Sequence, residues 1–261
     1  MITAGIDCGS KNTKVVILKD DSILSTTSVL SGFDQDEAAK QALNNALERA
    51  GVKRAEIKYI IATGAGIEAI SFANDSVTTV TANAKGTHFI FPSARTVIDI
   101  GAEEGRVLRI DDQGKVKDFG INEKCAAGAG AFIEAMARAL EVDITTMGDL
   151  SLKATKQIPM NAQCTIFAES EVVSLIHQKT LKEDIIRAVH DAIADRNTSM
   201  VRQIGIEQKV ALIGGVANNI GFIDSMERNL GFDLLVPKEV IAPEYVSALG
   251  AALIAIEKIG D

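Results

Sequence analysis

An α/β fold of two related lobes follows from three observations in the sequence. A strand that ends in aspartate and runs into a glycine turn occurs twice, at Gly5-Ile6-Asp7-Cys8-Gly9 and at Val97-Ile98-Asp99-Ile100-Gly101. Each is followed by a strand, a polar turn and a further strand, so the same hairpin grammar opens both halves. Helical segments follow each hairpin, and 47% apolar content over 261 residues can fill one large core or two smaller ones.

The elements follow in order. Residues 2–6, 14–18 and 23–29 read as an antiparallel meander, parted by Gly9-Ser10-Lys11-Asn12 and by Asp20-Asp21. Asp34 and Asp36 precede a helix over 38–50 that Gly51 closes, and a strand over 57–62 returns to end at Thr63-Gly64-Ala65-Gly66. A helix crossing between strands makes this half an α/β lobe. The second half places strands at 97–100, 107–110 and 116–119, the last two around Asp111-Asp112-Gln113-Gly114. Helices are predicted at 131–140, 166–176 and 181–204, then a strand at 210–213, a Gly214-Gly215 turn, a helix from Ala217 and a final helix over 244–256. Residues 1–93 with 244–261 form the first lobe and 94–243 the second, with no Pro- or Ser-rich linker and no short-period repeat.

Composition excludes several classes of partner. A net charge of −8 and the absence of Trp leave no basic stripe or stacking platform for nucleic acid. The opening residues lack the charged and apolar regions of a signal peptide, and no stretch is apolar for the ~20 residues of a membrane span. A cytoplasmic protein with no membrane contact is expected. Three cysteines, Cys8, Cys125 and Cys164, are an odd number, so metal or redox roles come ahead of a structural disulfide.

The glycine turns suit a nucleotide. In Asp7-Cys8-Gly9-Ser10-Lys11-Asn12-Thr13 the carboxylate can hold Mg²⁺ while backbone N–H groups and the side chains of Ser10, Lys11 and Thr13 wrap phosphates. A plain hairpin turn would use similar residues. Asp99 with Gly101, Ala102, Glu103 and Glu104 supplies the mirror turn, where a carboxylate could orient an attacking water. Ile213-Gly214-Gly215-Val216-Ala217-Asn218 is the third piece, whose glycines let the backbone lie against a base and ribose. No Gly-x-Gly-x-x-Gly follows the first strand, and no Walker A loop is present. This order of turns resembles the actin, sugar-kinase and Hsp70 ATPase superfamily over nearly the whole chain. The resemblance implies two ribonuclease-H-like lobes with ATP in the interlobe cleft.

Cys125 and Cys164 each stand at the start of an apolar helical segment. The positive end of a helix dipole lowers a thiol pKa, and the small residues 126–130 allow close approach to an inorganic core. A [4Fe–4S] cluster wants four thiolates, and a two-fold dimer in which each subunit gives two would supply them. Two small buried thiols are the alternative reading, and zinc with His88, His177 or His190 is a third. Cys8, inside the first turn, reads as a small filler.

The pieces Lys124-Cys125-Ala126-Ala127-Gly128-Ala129-Gly130 and Cys164-Thr165-Ile166-Phe167-Ala168-Glu169-Ser170-Glu171, with the three turns, resemble one family. It comprises the ATPase subunits of benzoyl-CoA reductase and the activators of 2-hydroxyacyl-CoA dehydratases. The resemblance implies a dimer, homomeric or with a related ATPase partner, bridged by one [4Fe–4S] cluster on Cys125 and Cys164. It implies that ferredoxin or flavodoxin loads an electron, and that ATP hydrolysis changes the angle between the cluster-bearing helices. The electron would pass at low potential to a CoA-ester-binding iron–sulfur enzyme. Activators usually read Asp-Ile-Gly-Gly-Gln-Asp at the second turn, where this chain has Asp99-Ile100-Gly101-Ala102-Glu103-Glu104. That form looks more like the smaller ATPase subunit of benzoyl-CoA reductase, so a reductase of that type is the expected acceptor. Activation of a 2-hydroxyacyl-CoA dehydratase is the alternative, and a small-molecule kinase of the same fold a second one.

Overall fold

Two mixed β-sheets of matching strand order build the molecule in a computed structural model that describes residues 1–122, 130–160 and 165–260. In the first sheet β1 (Ile2–Cys8) pairs antiparallel with β2 (Asn12–Lys19), which pairs with β3 (Ser22–Leu30). On the other side of β1 lie the parallel β4 (Tyr59–Thr63) and the short β5 (Asp75–Ser76). In the second sheet β6 (Thr96–Ile100) takes the place of β1, with β7 (Gly105–Ile110) and β8 (Val116–Asn122) antiparallel on one side. The parallel β9 (Val210–Ile213) closes the other. The hairpin grammar in the sequence is therefore one module folded twice.

Helix α1 (Gln35–Ala50) covers the first sheet. Asp34 caps its start, Gly51 ends it in the left-handed region at φ 65°, and its alanine and leucine stripe faces the core. The second lobe buries α3 (Gly130–Ala139), α4 (Met147–Ser151), α5 (Thr165–His177), α6 (Lys182–Ile204) and α7 (Ile220–Leu230) around Phe132, Met136, Ile185, Val189 and Phe222. Among the described residues no helix is long and apolar enough to cross a membrane.

A separate apolar cluster joins the two sheets. It combines Val16 and Leu18 of β2, Val97 of β6 and Leu108 of β7 with Val80 and Ala84 of α2 (Thr79–Ile90) and Leu249, Ala252 and Leu253 of α8 (Val246–Gly260). Helix α8 is apolar nearly all round and buried to match, lying between β1 and α2. Small residues set that distance: a Cβ on Gly250 would fall 1.8 Å from the Ala82 carbonyl.

Several elements depart from the sequence reading, the short α4 and β5 among them. Helix α2 has no counterpart there, because its Thr, Asn, Gly and β-branched residues have weak helix propensity and are held by packing on α8. The helix expected from Ala217 is a 3₁₀ turn at Gly215–Asn218, and α7 starts at Ile220 with Asn219 as its cap. The last helix begins at Val246, after a 3₁₀ turn at Pro243–Tyr245.

Candidate functional site

The strands β1 and β6 end at opposite walls of a cleft of about 640 Å³. Register places a cation beside each terminal carboxylate. Asp7 lies opposite Lys14 in the β1–β2 ladder, and Lys14 Nζ donates to Asp7 Oδ2 at 3.0 Å. Asp99 lies opposite Arg106 in the β6–β7 ladder, and Arg106 donates to Asp99 Oδ2 at 3.1 Å. Asn83 of α2 donates to the same oxygen at 2.8 Å and is itself bonded by Ser247 of α8. Burial opposes the charge on Lys14, yet Asp7 through charge and hydrogen bond, with Asp99 and Glu244 beyond, holds its pKa above the ordinary lysine value. Arg106 is likewise desolvated and held charged by Asp99 and Glu104, the latter its second ion-pair partner.

A glycine with positive φ backs each carboxylate. Gly64 follows β4 at φ +100°, and a Cβ there would fall 2.7 Å from Asp7 Oδ1. Gly214 follows β9 at φ +89°, where a Cβ would fall 2.5 Å from Asp99 Oδ1. Only glycine meets both the backbone angle and the contact. Two buried carboxylates, each packed closely against a glycine and each lining the cleft, form a hard-oxygen donor set that fits Mg²⁺ carried by a phosphate chain.

The residues singled out from sequence for the nucleotide line this cleft, with two exceptions. Asp7, Gly9, Ser10, Lys11, Asp99, Gly101, Glu103, Glu104, Gly214, Gly215, Val216 and Asn218 all contribute. Thr13 does not, and the correction has a simple cause. It lies within β2 opposite Cys8, one residue out of phase with Lys14, so the pleat turns it into the first lobe, where its hydroxyl bonds Ser31 at 2.9 Å. Ala217 is likewise turned away, 2% exposed and packed in the second lobe. Cys8 is buried beside Thr13. His190, a candidate zinc ligand by its residue type, has its Nε2 engaged by Asn219. Cys125 and Cys164 lie outside the described residues.

Sequence reading misses Lys14, Arg106, Asn83 and Gly64. A signal exists for the first two: each cation stands seven residues after its aspartate. Nothing in sequence brings Asn83 to Asp99, because that contact depends on α2.

Two further features complete the site. Helix α3 hangs on the second turn, with Gly130 N donating to Gly101 O at 2.9 Å and Ala131 N to Ala102 O at 2.7 Å. Its Glu134 pairs with Lys11 in the first turn, so α3 is tied to both phosphate-type turns. A more apolar part of the lining comes from Ile144 and Gly148 on one side and from Val216 and Ile220 on the other.

Two lobes of one module, each bringing an aspartate, a cross-strand cation and a glycine to a common cleft, define a nucleotide clamp. The chain belongs to the BadF/BadG/BcrA/BcrD ATPase family, which it matches over residues 4–255. It is 39% identical over 257 residues to the activator of lactoyl-CoA dehydratase from Anaerotignum propionicum, covering 98% of each chain. Identity to a benzoyl-CoA reductase component from Thauera aromatica is 30% over 260 residues, 97% of this chain and 92% of that one. A solved structure of the activator of the 2-hydroxyisocaproyl-CoA dehydratase from Clostridium difficile, with bound ADPNP, superimposes with a TM-score of 0.95 at 36% identity, covering 100% of this chain and 96% of that one. A ROK family glucokinase from Streptomyces griseus shares the fold alone, with a TM-score of 0.58 at 15% identity over 98% of this chain and 100% of that one. The actin, sugar-kinase and Hsp70 type of fold and the family resemblance are both borne out. The leaning toward a benzoyl-CoA reductase component is less well supported than its alternative, because identity to the dehydratase activator is higher.

Proposed function

We propose that this chain is an ATP-dependent activator that delivers low-potential electrons to a 2-hydroxyacyl-CoA dehydratase. The observation that carries the reading is the double tie of α3, the helix that starts five residues after Cys125, to Gly101 and Ala102 of one turn and to Lys11 of the other. Any change in the turns on nucleotide binding or hydrolysis is passed directly to α3. In this reading Asp7 and Asp99 hold Mg²⁺, Gly9, Ser10, Lys11 and Gly101 meet the phosphates, and Glu103 and Glu104 orient the attacking water. Gly214, Gly215, Val216 and Asn218 lie against base and ribose. Residues 94–243 close on 1–93 with 244–261.

Cys125 and Cys164, with the same pair from a second ATPase subunit, would hold one [4Fe–4S] cluster. Such a cluster supplies a one-electron carrier of low potential. Two features support the shared site. Helix α5, which starts at the residue after Cys164, packs against α3, which starts five residues after Cys125. It also leaves Ile166 and Phe167 each 71% exposed, an apolar face suited to a second subunit. Ferredoxin or flavodoxin is the proposed donor and a CoA-ester-binding iron–sulfur enzyme the acceptor. A second reading, the smaller ATPase subunit of a benzoyl-CoA reductase paired with a related partner, is favoured by Ala102-Glu103-Glu104.

Anaerobic purification with iron and acid-labile sulfide counted per dimer tests the cluster, with Cys125→Ser and Cys164→Ser alongside. Four irons per dimer in the wild type and loss in both variants are expected. ATP-dependent activation is then assayed with a 2-hydroxyacyl-CoA dehydratase component and, separately, with the catalytic component of a benzoyl-CoA reductase. An iron-free dimer that activates neither would sink the proposal, and activation of the reductase alone would select the second reading.

A further inference from the structure

His190 is fully buried on α6 and does not itself line the nucleotide cleft. Its Nε2 lies 3.0 Å from Nδ2 of Asn219. The other end of that amide fixes the proton positions. Asn219 Oδ1 accepts from Gly221 N at 3.0 Å and from Phe222 N at 3.1 Å, so the oxygen must face α7 and the NH₂ must face His190. An amide NH₂ only donates, hence Nε2 is the bare acceptor and the ring proton sits on Nδ1. Burial holds the imidazole pKa down at about 4, with Asp191 and Asp224 working against it and Arg228 with it, so the ring is neutral at ordinary pH.

This arrangement leaves a cost in place. Among the described residues Nδ1 has no hydrogen-bond partner, although it is buried. A leucine would fill the space without stranding a polar atom, so the acceptor at Nε2 must serve some end. That end lies at Asn219, which lines the cleft and caps α7. Its own N–H closes the Gly215–Asn218 turn on Val216 O at 3.0 Å. Across from it a Cβ on Gly148 would fall 3.1 Å from Asn219 Oδ1 and 2.9 Å from Ile220 Cγ1, so α4 and the start of α7 interlock at the apolar part of the lining. A flipped or released Asn219 would uncap α7 and loosen that wall.

We propose that His190, as its Nδ1–H tautomer, is a positioning residue of the nucleotide site: it accepts from Asn219 and holds the amide in the orientation that caps α7 and fixes the wall formed by Val216, Asn219 and Ile220. The inference rests on the nucleotide reading of the cleft. It is independent of the cysteines and of the electron acceptor.

The test uses the full-length protein with ATP and compares His190→Leu, which has no acceptor, with His190→Gln, whose carbonyl oxygen can accept from Asn219. His190→Leu is expected to raise KM for ATP roughly tenfold, the scale of losing one helix cap, with kcat within about twofold. His190→Gln is expected to stay within about threefold of wild type in KM. A purely structural role would lower Tm in both variants and leave KM alike. A long-range ¹H–¹⁵N spectrum of the wild type reads the tautomer directly and needs no variant to fold. A proton on Nε2, or folded Leu and Gln variants with equal KM, overturns the proposal. Wild-type protein that binds no nucleotide would remove the reading beneath it instead.

Discussion

Gly64 and Gly214 occupy corresponding places in the two lobes, and each lets a carboxylate oxygen pack where a side chain would otherwise stand. Gly214→Ala combines an unfavourable φ with a Cβ 2.4 Å from the Ile100 carbonyl, and Gly64→Ala meets the Cys8 carbonyl at the same 2.4 Å. Each is expected to cost about 1–3 kcal/mol of stability, read by urea unfolding, and to weaken ATP binding. Gly231 is the control. It ends α7 at φ +82° with open space around it, so Gly231→Ala should cost about 1 kcal/mol and leave ATP binding unchanged. His190 gives a pH signature at this scale as well. Its folded pKa is about 4 against 6.5 in the unfolded chain, so the unfolded chain takes the proton first as pH falls. Stability is complete above about pH 6.5 and is shed toward pH 4, by about 3 kcal/mol. Urea unfolding at pH 7 and pH 4.5 should show that slope in the wild type and a smaller one in His190→Gln.

Helix α5 has few inward residues, only Ala168 and Val172 among those buried, while Ile166, Phe167 and Val173 face outward. Phe167→Ser is therefore expected to leave Tm nearly unchanged and to shift a dimer toward monomer, read by light scattering after size exclusion. An unchanged mass in the double variant Ile166→Ser, Phe167→Ser would remove this face from the proposed dimer. Helix α1 can be read from sequence because cap, periodicity and terminator agree locally, and α6 because its length, periodicity and closing Gly205 agree although Leu181 gives its start no side-chain cap. Helices α2 and α4 cannot. The first is held by contact with α8, and the second is a five-residue helix set by its neighbours. The site divides along the same line. Asp7 and Asp99 with their glycine turns show in the chain, whereas Asn83 reaches Asp99 only through tertiary packing, and Thr13 falls one step of the strand pleat away from the cleft.

At the scale of the whole molecule, the ion pair between Lys11 and Glu134 bridges the first turn and the second lobe. It is solvent-exposed, so Lys11→Ala or Glu134→Gln should change stability by less than about 1 kcal/mol. In Glu134→Gln, which keeps Lys11 at the phosphates, the expected loss is in coupling: ATP hydrolysis continues while electron delivery per ATP falls; Lys11→Ala is expected to weaken ATP binding as well as to lower that ratio. Measuring phosphate release and acceptor reduction in one assay checks this, and an unchanged ratio in both variants would remove the pair from the coupling path.

The two sheets differ most in the length of one connection. The chain returns from β3 to β4 in 28 residues, 31–58, but from β8 to β9 in 87, residues 123–209. Cys125 and Cys164 both fall within that longer return, so they belong to an extended crossover of the repeated module and not to an appended domain. Its two anchors, β8 and β9, are the outer strands on either side of β6 and β7. The crossover is thus a bracket bolted at both edges of the sheet that carries Asp99. A twist of that sheet loads both bolts together.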